Sequence, residues 1–126
     1  MNKRTALELV NFVIESMLLI KARSHNIKSA DDFLSDDTNI TKMEAIMMRL
    51  QASGEAIKNL DKRDKTFLTQ VAPSDYWRKI IRFRDLISHH YIDIQSDEIF
   101  NICETKVTEL EENMKKLKEI LENEIK

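Results

Sequence analysis

Glycine, proline and cysteine occur once each in the 126 residues. So few turn-forming residues exclude a fold of many short strands and argue for long helices with few connections. The lone Cys103 excludes an internal disulfide, and no Cys/His spacing matches a zinc site. No metal or cofactor is therefore expected, and the compartment is a reducing one, the cytoplasm. Long apolar runs are also missing. Near the N-terminus Glu8, Asn11 and Glu15 break up the apolar stretch that follows Lys3 and Arg4, so it serves neither as a signal core nor as a membrane span. The net charge of −2 announces no nucleic-acid partner by itself.

What is present is a 42% hydrophobic, 33% charged chain, the composition of one globular domain over residues 1–126 that can bury a core. The charge is unevenly spread. Lys58 to Arg84 holds eight basic residues against three acidic ones, whereas Asp31 to Glu44 holds five acids and one lysine. The basic segment fits a phosphate-bearing ligand; a solvated helical surface would look the same.

Apolar spacing of three and four predicts a first helix over Thr5–Arg23, with Leu7, Val10, Val13, Ile14, Met17, Leu18 and Lys21 along one face. A helical turn capped by Ser29 follows, its Phe33 and Leu34 tucked inward. Thr41 and Glu44 have capping-box spacing and open, or lie in the first turn of, a second helix running to about Leu60. Its buried stripe is Ile46, Met47, Leu50, Ser53, Gly54 and Ile57. A mid-helix glycine costs about 1 kcal/mol relative to alanine, and Gly54 is expected to let another helix approach closely. A third helix starts at Ser74. A fourth starts near Ser96 and runs to about Glu124, with Ile99, Ile102, Cys103, Val107, Leu110, Met114, Leu117 and Leu121 facing in. The expected fold is an all-α, antiparallel four-helix bundle with one short extra helical turn after the first helix.

The chemistry gathers in Arg84-Asp85-Leu86-Ile87-Ser88-His89-His90-Tyr91. On a helical wheel Trp77, Ile80, Ile81, Ile87 and Tyr91 fall within about 60° of Arg84. Arg84 thus sits in the apolar face, where a charge must be paired or open onto a wet groove. A structural ion pair to Glu55, beside Gly54, is one such pairing. Asp85 and His89 are four apart and can meet on one face, the carboxylate setting the imidazole tautomer. Arg84 and His89 are about 140° apart on an ideal helix. Either the helix ends near Ser88 and redirects His89, or a symmetric dimer completes the site from two chains. Read singly, His89 is equally a helix C-terminal charge, and Tyr91 and Trp77 core aromatics.

Arg84-x-x-x-x-His89-x-Tyr91 resembles the ribonuclease motif of HepT toxins, of the HEPN superfamily. Met48 to Lys58, with its Gly54-Glu55-Ala56 core, is similar to the second helix of those proteins. Tyr76 to Asp85 and Ile92-Asp93-Ile94 resemble the segments flanking their motif. The resemblance implies a HEPN-like bundle and the toxin of a type VII toxin–antitoxin pair, a metal-independent endoribonuclease cutting tRNA or mRNA. It implies His89 as acid/base at the ribose 2′-hydroxyl, Arg84 as phosphate clamp and Asp85 as support. It further implies an MntA-like nucleotidyltransferase antitoxin that transfers AMP onto Tyr91. RNA and that antitoxin are the expected partners, with a homodimer or higher oligomer and no membrane. Two alternatives stand beside it. One is a non-catalytic HEPN subunit that binds a minimal nucleotidyltransferase. The other is a structural bundle assembling through heptad-like Leu110, Met114, Leu117 and Leu121.

Overall fold

The computed structural model describes residues 1–90 and 94–125, with the side chain of His90 outside that set. Its helices are α1 (Lys3–Ser24), α2 (Asp37–Arg63), α3 (Ser74–His90), α4 (Ser96–Thr105) and α5 (Val107–Ile125), with 3-10 turns at Ala30–Leu34 and Leu68–Gln70. No strand occurs among the described residues. The chain is the expected all-α bundle.

Helix α1 lies at the centre, against both α2 and α5, and α3 packs on α2 at the margin. The core is formed by Val10, Val13, Met17 and Ile20 of α1, Ile46, Ile57 and Leu60 of α2, and Met114, Leu117 and Leu121 of α5, all buried. Burying each such side chain contributes roughly 2 kcal/mol. The buried face of α1 is turned by about one residue from the predicted stripe. Ala6, Val10, Val13, Met17 and Ile20 face in, and Leu18 is exposed.

Three local differences have identifiable causes. Helix α2 starts four residues before Thr41 because Asp36 caps it, its Oδ1 accepting from the Asn39 N–H at 2.8 Å. The Thr41/Glu44 spacing therefore falls inside the helix. Phe33 is buried as expected, but Leu34 is 55% exposed, because the 3-10 turn presents only one of two adjacent side chains to the bundle. The predicted fourth helix is broken into α4 and α5 at Lys106. Just before the break, the Thr105 hydroxyl donates to the Asn101 carbonyl at 2.8 Å, the side-chain-to-backbone bond that bends helices. The break turns Val107 inward, and Leu110, Met114, Leu117 and Leu121 are spent on the chain's own core. That leaves the assembly alternative without its apolar seam.

Glu111 of α5 is the one charged residue buried in this core among the described residues, 5% exposed. Lys115 at 2.7 Å and Lys21 of α1 both pair with it. Hydrogen bonds from Lys115 and then Lys21 hold its carboxyl below the ordinary range. A depressed folded pKa means stability that is fully present above the unfolded value of about 4.3 and lost as pH falls through the folded one. Glu111→Gln is expected to lower stability at pH 7 by about 1–2 kcal/mol, since both lysine heads keep some water. Its melting temperature should also fall less steeply than that of the wild type between pH 5 and pH 3. Parallel pH profiles for the two proteins would show that the triad carries none of the acid sensitivity.

Candidate active site on the third helix

Helix α3 is anchored at its start. The buried Trp77 indole N–H donates to the carbonyls of Leu68, at 2.8 Å, and Ala72, at 3.0 Å. Its ring stands edge-on to Tyr76, with centroids 4.9 Å apart. Two turns further on, α3 crosses α2 at Gly54. A Cβ built on Gly54 would lie 2.4 Å from the Arg84 Cβ. The glycine is thus the condition for the arginine stem to pass, as its place in mid-helix predicts.

Past that crossing the Arg84 guanidinium reaches two carboxylates. Its Nη2 pairs with Glu55 of α2, and its Nη1 donates to Asp85 at 2.7 Å. The arginine is 21% exposed, and its Nε is buried with no hydrogen-bond partner among the described residues. The Asp85 bond, reinforced by the charge of Glu55, raises its pKa still further, so the cation is permanent. The same bond holds Asp85 below the usual carboxylate range, with smaller contributions from Lys58 and His89. Gln51 of α2 donates from Nε2 to the Ser88 hydroxyl at 2.9 Å. Gln51, Glu55 and Lys58, spaced four and three, therefore form the α2 wall of the site. That spacing beside Gly54 was the available signal for Gln51 and Lys58, whose parts the sequence reading did not single out.

The ion pair to Glu55 is the pairing that the apolar position of Arg84 demands. Asp85, expected to orient His89, is bonded to Arg84 instead. Among the described residues no hydrogen bond joins it to His89, and their coupling is electrostatic. Helix α3 continues through His90, so His89 keeps its helical direction, exposed and turned away from Arg84. The option in which the helix ends near Ser88 is thereby excluded. Tyr91 lies outside the described residues.

On its other flank α3 borders a cleft of about 470 Å³, walled by Tyr76, Ile80, Phe83 and Arg84 and, across from them, Ile102, Val107 and Leu110, with Met17, Ser53 and Gly54 among its other lining residues. Ser53 is buried, and its Oγ has no partner among the described residues. Burial pushes the Tyr76 phenol up to about 12, although Asn113 hydrogen-bonds to it. Burial likewise lifts the Cys103 thiol to about 11. Neither is a ready nucleophile near neutrality. The described residues contain no group of three or more His, Cys, Asp or Glu able to hold a metal, and no helix long and apolar enough to cross a membrane.

Residues 13–117 match the profile of the family described as Ribonuclease HepT-like. A candidate RNase of Methanocaldococcus jannaschii is 33% identical over 98 residues, 78% of this chain and 73% of that protein. A second protein of that organism, named for gamma-glutamylcyclotransferase and candidate RNase functions, is 25% identical over 113 residues, 90% of this chain and 47% of that protein. No solved structure matches the chain. The profile takes in α2 with its Gly54-Glu55 pair and the whole of α3 with Arg84 and His89, and with it the chain belongs to the HepT-like ribonuclease family of HEPN type.

Proposed function

We propose that the chain is the toxin of a toxin–antitoxin pair, a metal-independent endoribonuclease that works as a symmetric dimer. In this reading His89 takes the proton from a ribose 2′-hydroxyl. The 2′-oxygen bonds to the adjacent phosphorus as the bond to the 5′-oxygen breaks, and the proton passes to that leaving oxygen. Arg84 binds the phosphoryl oxygens, a task suited to its planar fork of donors. Asp85 supports the arginine.

The observation that carries the reading is the unbroken α3. It holds Arg84 and His89 about 140° apart, so one chain cannot easily bring both to one phosphate, and a twofold partner can supply the missing group. The apolar cleft beside Arg84, with Tyr76, Ile80 and Phe83 spaced along one face of α3, supports a second copy as its occupant. In this reading an MntA-like nucleotidyltransferase silences the toxin by adding AMP, a bulky anionic group, to Tyr91, seven residues after Arg84 in the sequence.

Two measurements test this. The purified chain, free of antitoxin, should cleave tRNA or mRNA in the presence of EDTA. Cleavage that EDTA abolishes would defeat metal independence, and inactivity without EDTA as well would defeat the enzyme reading. After incubation with ATP and the antitoxin, mass spectrometry should find AMP on Tyr91 and none on a Tyr91→Phe chain. Label persisting on Tyr91→Phe would move the acceptor to Tyr76, whose phenol is half-buried and hard to ionise. The double ion pairing of Arg84 favours the competing reading, a non-catalytic HEPN subunit in which that arginine serves structure alone. RNA cleavage by the wild-type chain excludes it.

A further inference from the structure

We propose that Glu55 is an exchangeable partner of Arg84, holding the guanidinium until an RNA phosphate takes its place. The inference rests on the ribonuclease reading of the site and deepens it. The cation is presented already neutralised, with Glu55 and Asp85 both on it. A phosphodiester cannot simply join this trio, which already carries an excess negative charge; one carboxylate has to leave.

Three features single out Glu55 as the one that leaves. It comes from the opposite helix and is 56% exposed, so its head can swing into water. Asp85 is the next residue on α3, so its 2.7 Å bond travels with the arginine, whereas the Glu55 pair spans two helices. The third feature is the edge of the guanidinium that Glu55 uses. Nη2 and Nε share that edge, and Glu55 takes Nη2 while Nε remains buried without a partner among the described residues. A phosphoryl group offers oxygens for both donors at once, so exchange satisfies the Nε that the carboxylate leaves unmet. The close passage at Gly54 fixes the arginine stem, and only the distal part of the side chain has to adjust.

Glu55 is in this sense a positioning residue. It keeps Arg84 extended over α2 when no RNA is bound, and it sets the affinity that a phosphate must exceed to enter.

The test follows the Arg84 Nε–Hε resonance of the full chain, assigned against Arg84→Lys. Wild type, Glu55→Gln and Glu55→Asp are each titrated with inorganic phosphate and with a short oligonucleotide carrying 2′-deoxy sugars, which cannot be cleaved. Glu55→Gln is expected to bind both anions about fivefold more tightly, with KM for RNA lowered by a similar factor and kcat little changed. Glu55→Asp, which keeps the charge, should stay close to wild type. Unchanged or weaker anion binding by Glu55→Gln overturns the exchange, as does an Arg84 resonance that phosphate leaves unmoved in all three proteins. If the wild type does not cleave RNA, the ribonuclease reading fails, while the phosphate titration still judges the exchange on its own.

Discussion

Arg84→Ala and His89→Ala chains are each expected to lose RNA cleavage by about three orders of magnitude while melting within a few degrees of the wild type. The expected size follows from the roles. Removing a positioned acid/base lowers rates by roughly 10² to 10⁴, and removing a donor to developing charge by roughly 10² to 10³. Arg84→Lys keeps the charge but loses the fork that meets two oxygens together, and should retain about a tenth to a hundredth of the activity. The more decisive experiment mixes the two dead variants. In a dimer of one Arg84→Ala and one His89→Ala subunit, the intact arginine of one chain faces the intact histidine of the other. One shared site is then whole, and a mixture that exchanges subunits should recover about a quarter of wild-type activity. Sites built within single chains would stay dead in every combination, and a mixture without recovery would end the shared-cleft reading. Expression of the wild type should slow growth, with either single substitution relieving it.

Gly54→Ala is expected to destabilise the chain even though alanine is the better helix former. Propensity favours the substitution by about 1 kcal/mol. Against it stands a Cβ 2.4 Å from the Arg84 Cβ and 2.8 Å from its Cγ. The nearest obstacle is a Cβ fixed to the α3 backbone, so the helix itself must retreat rather than a flexible side-chain tip. Overpacking of this kind costs roughly 1–3 kcal/mol. With the helix displaced and the Glu55 pair strained, the net loss should be about 1–2 kcal/mol, lowering the melting temperature by about 4–8 °C for a chain of this size. Cleavage should fall with it, because the arginine rides on the displaced segment. A melting temperature equal to or above wild type would mean that α3 does not pass so close to α2.

The helices were largely legible in the sequence because their apolar spacing leaves few alternatives. The α2 stripe through Ile46, Met47, Ser53 and Ile57 and the α4–α5 stripe through Ile99, Val107, Leu110 and Met114 are buried where the pattern puts them. Boundaries were less legible, because competing local hydrogen bonds decide them. Asp36 outbids Thr41 as a cap, and the Thr105 hydroxyl interrupts what the pattern draws as one helix. At the site, an arginine in an apolar stripe next to a Gly-Glu pair on another helix was enough to anticipate Glu55. Asp85 bonds Arg84 rather than the expected His89, for an instructive reason. Side chains one apart on a helix do not ordinarily face each other, so the rule favoured His89, four residues on. The long arginine reaches back to Asp85 all the same. The cleft against α4 and α5 was not legible, since it depends on α3 lying at the margin of the bundle, a tertiary outcome that no periodicity encodes.

The nailing of Trp77 to two carbonyls makes the segment from there to Arg84 a spacer of fixed length. Seven residues are two turns and about 10 Å of rise, and they carry the screw of α3 from its anchored tryptophan to the gap that Gly54 leaves open. One residue added or removed within that span would swing the guanidinium stem about 100° around the helix axis, out of the gap and away from Glu55. Side chains facing outward there, such as Arg78 and Arg82, are free to vary in kind, but their number is not.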